Sequence, residues 1–148
     1  MAVYPIPKGY YSVTPYLVVP GVGKLIDFLK QAFGAVVTEG PMHRPDGGIA
    51  HAEVKIGDSI VMMGEPMGPQ KAMPSTLYLY LDNVDAAYKA ALQAGATSLQ
   101  VPTDQFYGDR NAGVQDPTGN FWWLATHKED VPPAEIAKRA EAALKQKR

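Results

Sequence analysis

The stretch Asp27-Phe28-Leu29-Lys30-Gln31-Ala32-Phe33-Gly34-Ala35 is echoed, with a small insertion, between Asp85 and Ala96. That echo decides the fold. In the first copy Val22, Leu25, Ile26, Leu29 and Phe33 recur at helical spacing, and Gly34 is placed to end the helix in a left-handed residue. The second copy predicts a helix over Val84 to Ala94, ended by Gly95. The surroundings repeat as well. Tyr11 to Val19 alternates Thr14, Tyr16 and Val18 against Val13, Leu17 and Val19, with Pro15 marking an edge or bulge. Thr76 to Leu81 alternates Thr76, Tyr78 and Tyr80 against Leu77, Leu79 and Leu81. After the first helix come a short strand over Ala35 to Glu39, a loop over Pro41 to Gly48, and a hairpin of Ile49 to Ile56 with Ser59 to Gly64 across Gly57-Asp58. After the second come strands over Thr97 to Val101, Asn111 to Gln115 and Asn120 to His127, the last two joined by Asp116-Pro117-Thr118-Gly119. The reading is an α+β fold of two tandem βαβββ modules.

The proline-rich run from Glu65 to Pro74 separates the halves, residues 10–65 and 75–129. Residues 1–9 carry two prolines and read as an irregular arm. Residues 130–148 predict a third helix, with Asp130 as N-cap and Pro132-Pro133 in its first turn. Its apolar stripe is Ile136, Ala140, Ala143 and Leu144, and its end is basic, with Lys145, Lys147 and Arg148.

The chain has 148 residues, enough for one domain with a real core. It has no cysteine, which removes disulfides, thiolate nucleophiles and Cys-based metal sites. Lys+Arg is 14 against Asp+Glu 15, so the net charge of −1 gives no electrostatic reason to expect nucleic acid or an anionic membrane. No apolar run approaches the ~20 residues of a membrane span. The first residues lack the features of a signal peptide, so a cytoplasmic protein is expected. Gly21-Val22-Gly23-Lys24 is not a phosphate loop, because Leu25 stands where a Ser or Thr must hold magnesium. Nucleophile-elbow, dinucleotide and H-E-x-x-H motifs are absent.

Four stretches carry a resemblance. They are Ser12-Val13-Thr14-Pro15-Tyr16-Leu17-Val18-Val19, His51-Ala52-Glu53-Val54-Lys55-Ile56-Gly57-Asp58-Ser59, Gln105-Phe106-Tyr107-Gly108-Asp109-Arg110, and Asp116-Pro117-Thr118-Gly119 with Trp122 and Ala125-Thr126-His127. With the tandem modules they resemble the vicinal-oxygen-chelate superfamily of glyoxalase I, extradiol dioxygenases and bleomycin-resistance proteins, and within it the PhnB-like branch. The resemblance implies curved mixed sheets around a cleft, and a homodimer. It also implies a metal held from the first and last strands of each half. Those positions fall on Thr14, Met62 (Met63 if the register slips by one), Thr76 and Trp123, none a good ligand for a divalent ion. No metal and no other cofactor is therefore expected.

The same alternation lines the cleft with Thr14, Tyr16, Thr76, Tyr78 and Trp123, a surface of rings with hydroxyl tips suited to a flat, partly polar organic ligand. A plain aromatic core is the competing reading. His51 and Glu53 share a strand face opposite Ala50, Ala52 and Val54, and make a usable acid–base pair or ligand anchor; a surface pair at the sheet rim is the alternative. A metal site of their own lacks an obvious third ligand. Tyr107 and Arg110 lie on a loop at the cleft. Arg110 either binds a ligand carboxylate or phosphate or pairs with Asp109 or Asp116. His127 reads as structural, and His43 carries no signal. The residues favour a carrier of a small aromatic molecule and leave open a lyase, isomerase or dioxygenase, metal-dependent or centred on His51.

Overall fold

A computed structural model of the chain describes residues 2–146. Its elements are β1 (Tyr16–Val18), α1 (Val22–Phe33), β2 (Val36–His43), β3 (Ile49–Ile56), β4 (Ser59–Gly64), β5 (Thr76–Tyr80), α2 (Val84–Gln93), β6 (Thr97–Asp104), β7 (Asp109–Gln115), β8 (Phe121–His127) and α3 (Pro133–Gln146). They form two four-stranded sheets, β1-β4-β3-β2 and β5-β8-β7-β6. In each sheet the strand before the helix runs parallel to the last strand, and the remaining pairs are antiparallel. The tandem βαβββ reading and the α+β class hold.

Element ends differ from the sequence reading for local reasons. The Pro15 carbonyl accepts from Met62 N at 2.9 Å, but Pro15 has no N–H, so β1 begins only at Tyr16. β2 runs on through His43, because Arg44 N closes the hairpin on Gly48 O at 2.7 Å. Its ladder is bulged between Glu39 and Met42. Gly40 makes the bulge possible: its φ is +79°, and a Cβ there would lie 2.8 Å from the His51 carbonyl oxygen. β6 extends to Asp104 and β7 starts at Asp109, joined through Gln105 N to Asp109 O at 2.7 Å.

Asp130 does not cap α3. The helix begins three residues later, and Asp130 faces His127 Nε2 at 2.7 Å instead. No residue of α3 is fully buried; Ile136, Ala140 and Ala143 of its apolar stripe are half-buried against the body of the chain, and Leu144 is exposed. Arg139 ties the helix down through Glu129 at 3.0 Å and the Phe106 carbonyl at 3.2 Å. Lys147 and Arg148 of the expected basic end lie outside the described residues.

One face of each sheet is covered by helix. Gly34 ends α1 with φ 68°, and the Asn83 side chain caps α2 by accepting from Ala86 N at 3.0 Å. α1 packs on α2, and a single core joins Leu25 and Leu29 of α1 to Val54, Met63, Val114, Trp122 and Leu124 of the strands. Burial of each such side chain is worth about 1.5–3 kcal/mol. Strand residues of opposite parity face away from the helices and carry the polar and aromatic groups described next. Among the described residues, no helix is long and apolar enough to cross a membrane.

Candidate functional site

On the first sheet, Ala52, Val54 and Ile56 of β3 enter the core, which turns His51 and Glu53 to the other face. His51 Nε2 lies 2.6 Å from Glu53 Oε2, and Tyr16 Oη lies 3.3 Å from His51 Nδ1. Glu53 is buried, and its other oxygen accepts from Tyr10 Oη. Burial pushes the Glu53 carboxyl up, but hydrogen bonds from His51 and Tyr10 outweigh it and hold it below its ordinary value. The same bond to Glu53 pushes the Tyr10 phenol up to about 12. A register shift in β2 between Val37 and Glu39 places Glu39 directly across from Glu53. A cavity of about 530 Å³ opens beside these groups, lined by Glu39, Tyr10, Thr14, Met62 and the Pro5 to Pro7 arm.

On the second sheet, Asp109 is the hub. It accepts from Tyr78 Oη at 2.8 Å and Tyr80 Oη at 3.0 Å, and meets His127 Nδ1 at 2.8 Å. Asn111 donates to Tyr107 Oη at 2.7 Å and Tyr78 Oη at 3.2 Å, while Gln100 and Gln105 donate to its Oδ1 at 2.8 and 3.0 Å. Tyr78, Gln100, Gln105, Tyr107, Asn111 and Trp123 line a cavity of about 330 Å³. Burial raises Asp109, but His127, Tyr78 and Tyr80 outweigh it and hold it below the usual 3.8. Hydrogen bonds to Asp109 and Asp130 raise His127 above the usual 6.5.

These shifts set a pH window. A raised histidine contributes fully below 6.5 and loses its contribution as pH rises through the folded value. A depressed aspartate contributes fully above 3.8 and loses its contribution as pH falls through its folded value. Thermal melts of the wild type and His127→Ala should therefore differ most near about pH 5 and converge toward about pH 9. A gap that stays constant over that range would show that the imidazolium–carboxylate pair does not stabilise the fold.

The remaining expected residues fall in different places. Met62 is half-buried and lines the first cavity, while Met63 is in the core. Thr14 precedes β1 and donates to Tyr11 O at 3.2 Å. Thr76 is exposed opposite Phe121, and it is Tyr78 that stands opposite Trp123. Thr14, Met62, Thr76 and Trp123 do not form a donor set for a divalent ion, since two are hydroxyls, one a thioether and one an indole. Arg110 pairs with neither Asp109 nor Asp116. Its guanidinium grips Asp85 through two bonds of 2.9 Å and Asp104 at 3.3 Å, which tie β7 to α2 and β6 and raise its pKa further. Sequence reasoning missed Tyr10, Glu39, Gln100, Gln105 and Asn111, and it did not place Asp109 at the hub.

Comparison with known proteins agrees with this fold. The pattern of the Glyoxalase/Bleomycin resistance protein/Dioxygenase superfamily matches residues 12–124. The chain belongs to that superfamily. The chain is also similar to an uncharacterized protein of Mycobacterium bovis, 36% identical over 136 residues that cover 84% of this chain and 89% of that one. A Mycobacterium tuberculosis H37Rv protein is 36% identical over the same length, covering 84% and 79%. TioX from Micromonospora sp. ML1 shares the superfamily fold with a TM-score of 0.65 at 23% identity, over 79% of this chain and 98% of that one. A superfamily member from Sphaerobacter thermophilus gives a TM-score of 0.61 at 21% identity, over 78% and 96%.

Proposed function

We propose that the chain is a binding protein that holds a small, flat, partly polar organic molecule against Trp123, acts as a homodimer, and uses no metal at the superfamily position. The observation that carries the reading is the cavity of about 330 Å³, with the Trp123 indole as one wall and the Tyr78, Tyr107, Asn111, Gln100 and Gln105 side chains around it. An indole wall with a phenol and amide rim suits a ring carrying one or two polar substituents. The cavities of the two sheets are separate, and each is open. A second copy that brings the first sheet of one chain over the second sheet of its partner would close both and cover sheet surface now exposed. His51, Glu53, Thr14 and Tyr16 would then face the same ligand from the opposite wall. The reading includes the PhnB-like branch, supported by the His51 to Ser59 and Gln105 to Arg110 stretches, and a cytoplasmic setting, which suits a cysteine-free chain.

Native mass spectrometry of protein isolated from its own host tests this directly. The expected species is a dimer carrying an organic ligand. Trp123→Ala should keep the dimer and weaken the ligand by about 1 kcal/mol or more, roughly fivefold or greater, from lost ring stacking and area. A monomer, or a ligand retained unchanged by Trp123→Ala, would sink the reading.

A further inference from the structure

The first sheet carries a cluster to which the binding reading gives no role beyond a place on the cavity wall. Glu39, His51 and Glu53 come from two neighbouring strands, and their ligating atoms all lie within 4.8 Å of one another. We infer that Glu39, His51 and Glu53 form a site for one divalent transition-metal ion of the zinc or manganese class, one strand removed from the superfamily position.

Three independent features point to an ion. The first is electrostatic. Glu39 and Glu53 are direct cross-strand partners, an arrangement of like charges that destabilises a sheet unless a positive group joins it. Glu53 is only 3% exposed, and among the described residues neither carboxylate forms an ion pair with lysine or arginine. The His51 imidazole is the single nitrogen partner available.

The second is support behind the ligands. Tyr16 Oη stands 3.3 Å from His51 Nδ1, and Tyr10 donates to one Glu53 oxygen. This occupies the far atom of each ligand and leaves His51 Nε2 and the other Glu53 oxygen facing each other at 2.6 Å. Ligating histidines and carboxylates are oriented in this way by outer partners. The third is access. Glu39 and Tyr10 also line the cavity of about 530 Å³, so the positions not filled by the three side chains open to solvent or to a ligand. One imidazole nitrogen with two carboxylates, and no sulfur, selects a borderline first-row ion over the oxygen-only sets of calcium and magnesium.

The inference goes beyond the binding reading, which gives His51 and Glu53 only a place on the cavity wall; ion binding and organic-ligand binding are read by separate measurements, so each can fail alone. The test is calorimetric titration of chelator-stripped protein with zinc, repeated with manganese(II) by electron paramagnetic resonance. One saturable equivalent per chain is expected. Glu39→Gln, at an exposed position whose change leaves the fold intact, should weaken it by about tenfold or more, and His51→Ala should abolish saturation. Tyr10→Phe should weaken it less. His127→Ala removes the other histidine–carboxylate group and should leave the affinity unchanged. The absence of a saturable equivalent for either ion in the wild type would overturn the site. So would an equivalent that survives both Glu39→Gln and His51→Ala but disappears with His127→Ala.

Discussion

Asp116→Ala is expected to cost about 3–5 kcal/mol of folding stability, roughly a fifth or more of what a domain of this size has in total. Asp116 is buried at the turn between β7 and β8. One of its oxygens accepts from Thr118 N and Thr118 Oγ1, both at 2.7 Å, and the other accepts from Asn120 Nδ2 at 3.1 Å and Trp122 Nε1 at 2.8 Å. Asn120 and Trp122 are themselves almost fully buried. Alanine therefore leaves the Trp122 indole N–H without a partner and the Asn120 Nδ2 with only a 3.3 Å bond to Thr118 Oγ1, in a region water does not reach, at about 1–3 kcal/mol for each group so deprived. Asp116→Asn keeps one acceptor oxygen and should cost roughly half as much. Urea unfolding of the three proteins measures the series. A loss below about 1 kcal/mol for the alanine variant would mean that the turn relaxes and satisfies these donors elsewhere. The effect reaches the site, because Trp122 and Trp123 are consecutive on β8. The bond that seats Trp122 under α1, with its ring centroid 5.4 Å from that of Phe33, also sets the direction of Trp123.

The strand faces around Trp123 were legible in the sequence for a local reason. Strict alternation in Thr76 to Leu81 and a turn with a defined register assign faces without knowledge of the partner strand. Tyr78 and Trp123 are cross-strand neighbours on one cavity, as alternation implies. The face of His51 and Glu53 was legible for the same reason. What surrounds them was not. Glu39 meets Glu53 only through a register shift between Val37 and Glu39, and such an irregularity moves every later residue to the other register. Tyr10 reaches Glu53 from a segment with no periodicity, 43 residues away in the chain. Asn111, Gln100 and Gln105 are ordinary amides in the sequence, and their meaning lies in converging on two phenols. Arg110 found Asp85 on α2 and Asp104 on β6, partners fixed by packing between elements that local charge patterning cannot see.

Gly113→Ala should reduce ligand affinity at the Trp123 cavity by at least about tenfold while costing about 1–3 kcal/mol of stability. Gly113 lies directly opposite Trp123 in the ladder of β7 and β8. A Cβ added there would sit 2.6 Å from Trp123 Cζ3 and 2.9 Å from Cε3 and Cη2. No carbon approaches a ring that closely, so either the indole swings into the cavity of about 330 Å³ or β7 moves away from β8. Both outcomes spoil the wall against which the ligand is proposed to lie. The corresponding pair on the first sheet is Glu53 opposite Met62. The two halves thus share a fold and differ in the chemistry at one cross-strand position. A carboxylate beside a thioether builds a polar cluster, and a missing side chain beneath an indole builds a flat wall. The decisive measurement is a double-mutant cycle. In the Trp123→Ala background the ring is gone, so Gly113→Ala should cost almost nothing in stability or binding, and the two substitutions should be strongly non-additive. Additive effects would show that Gly113 is needed for the backbone of β7 itself rather than for the indole above it.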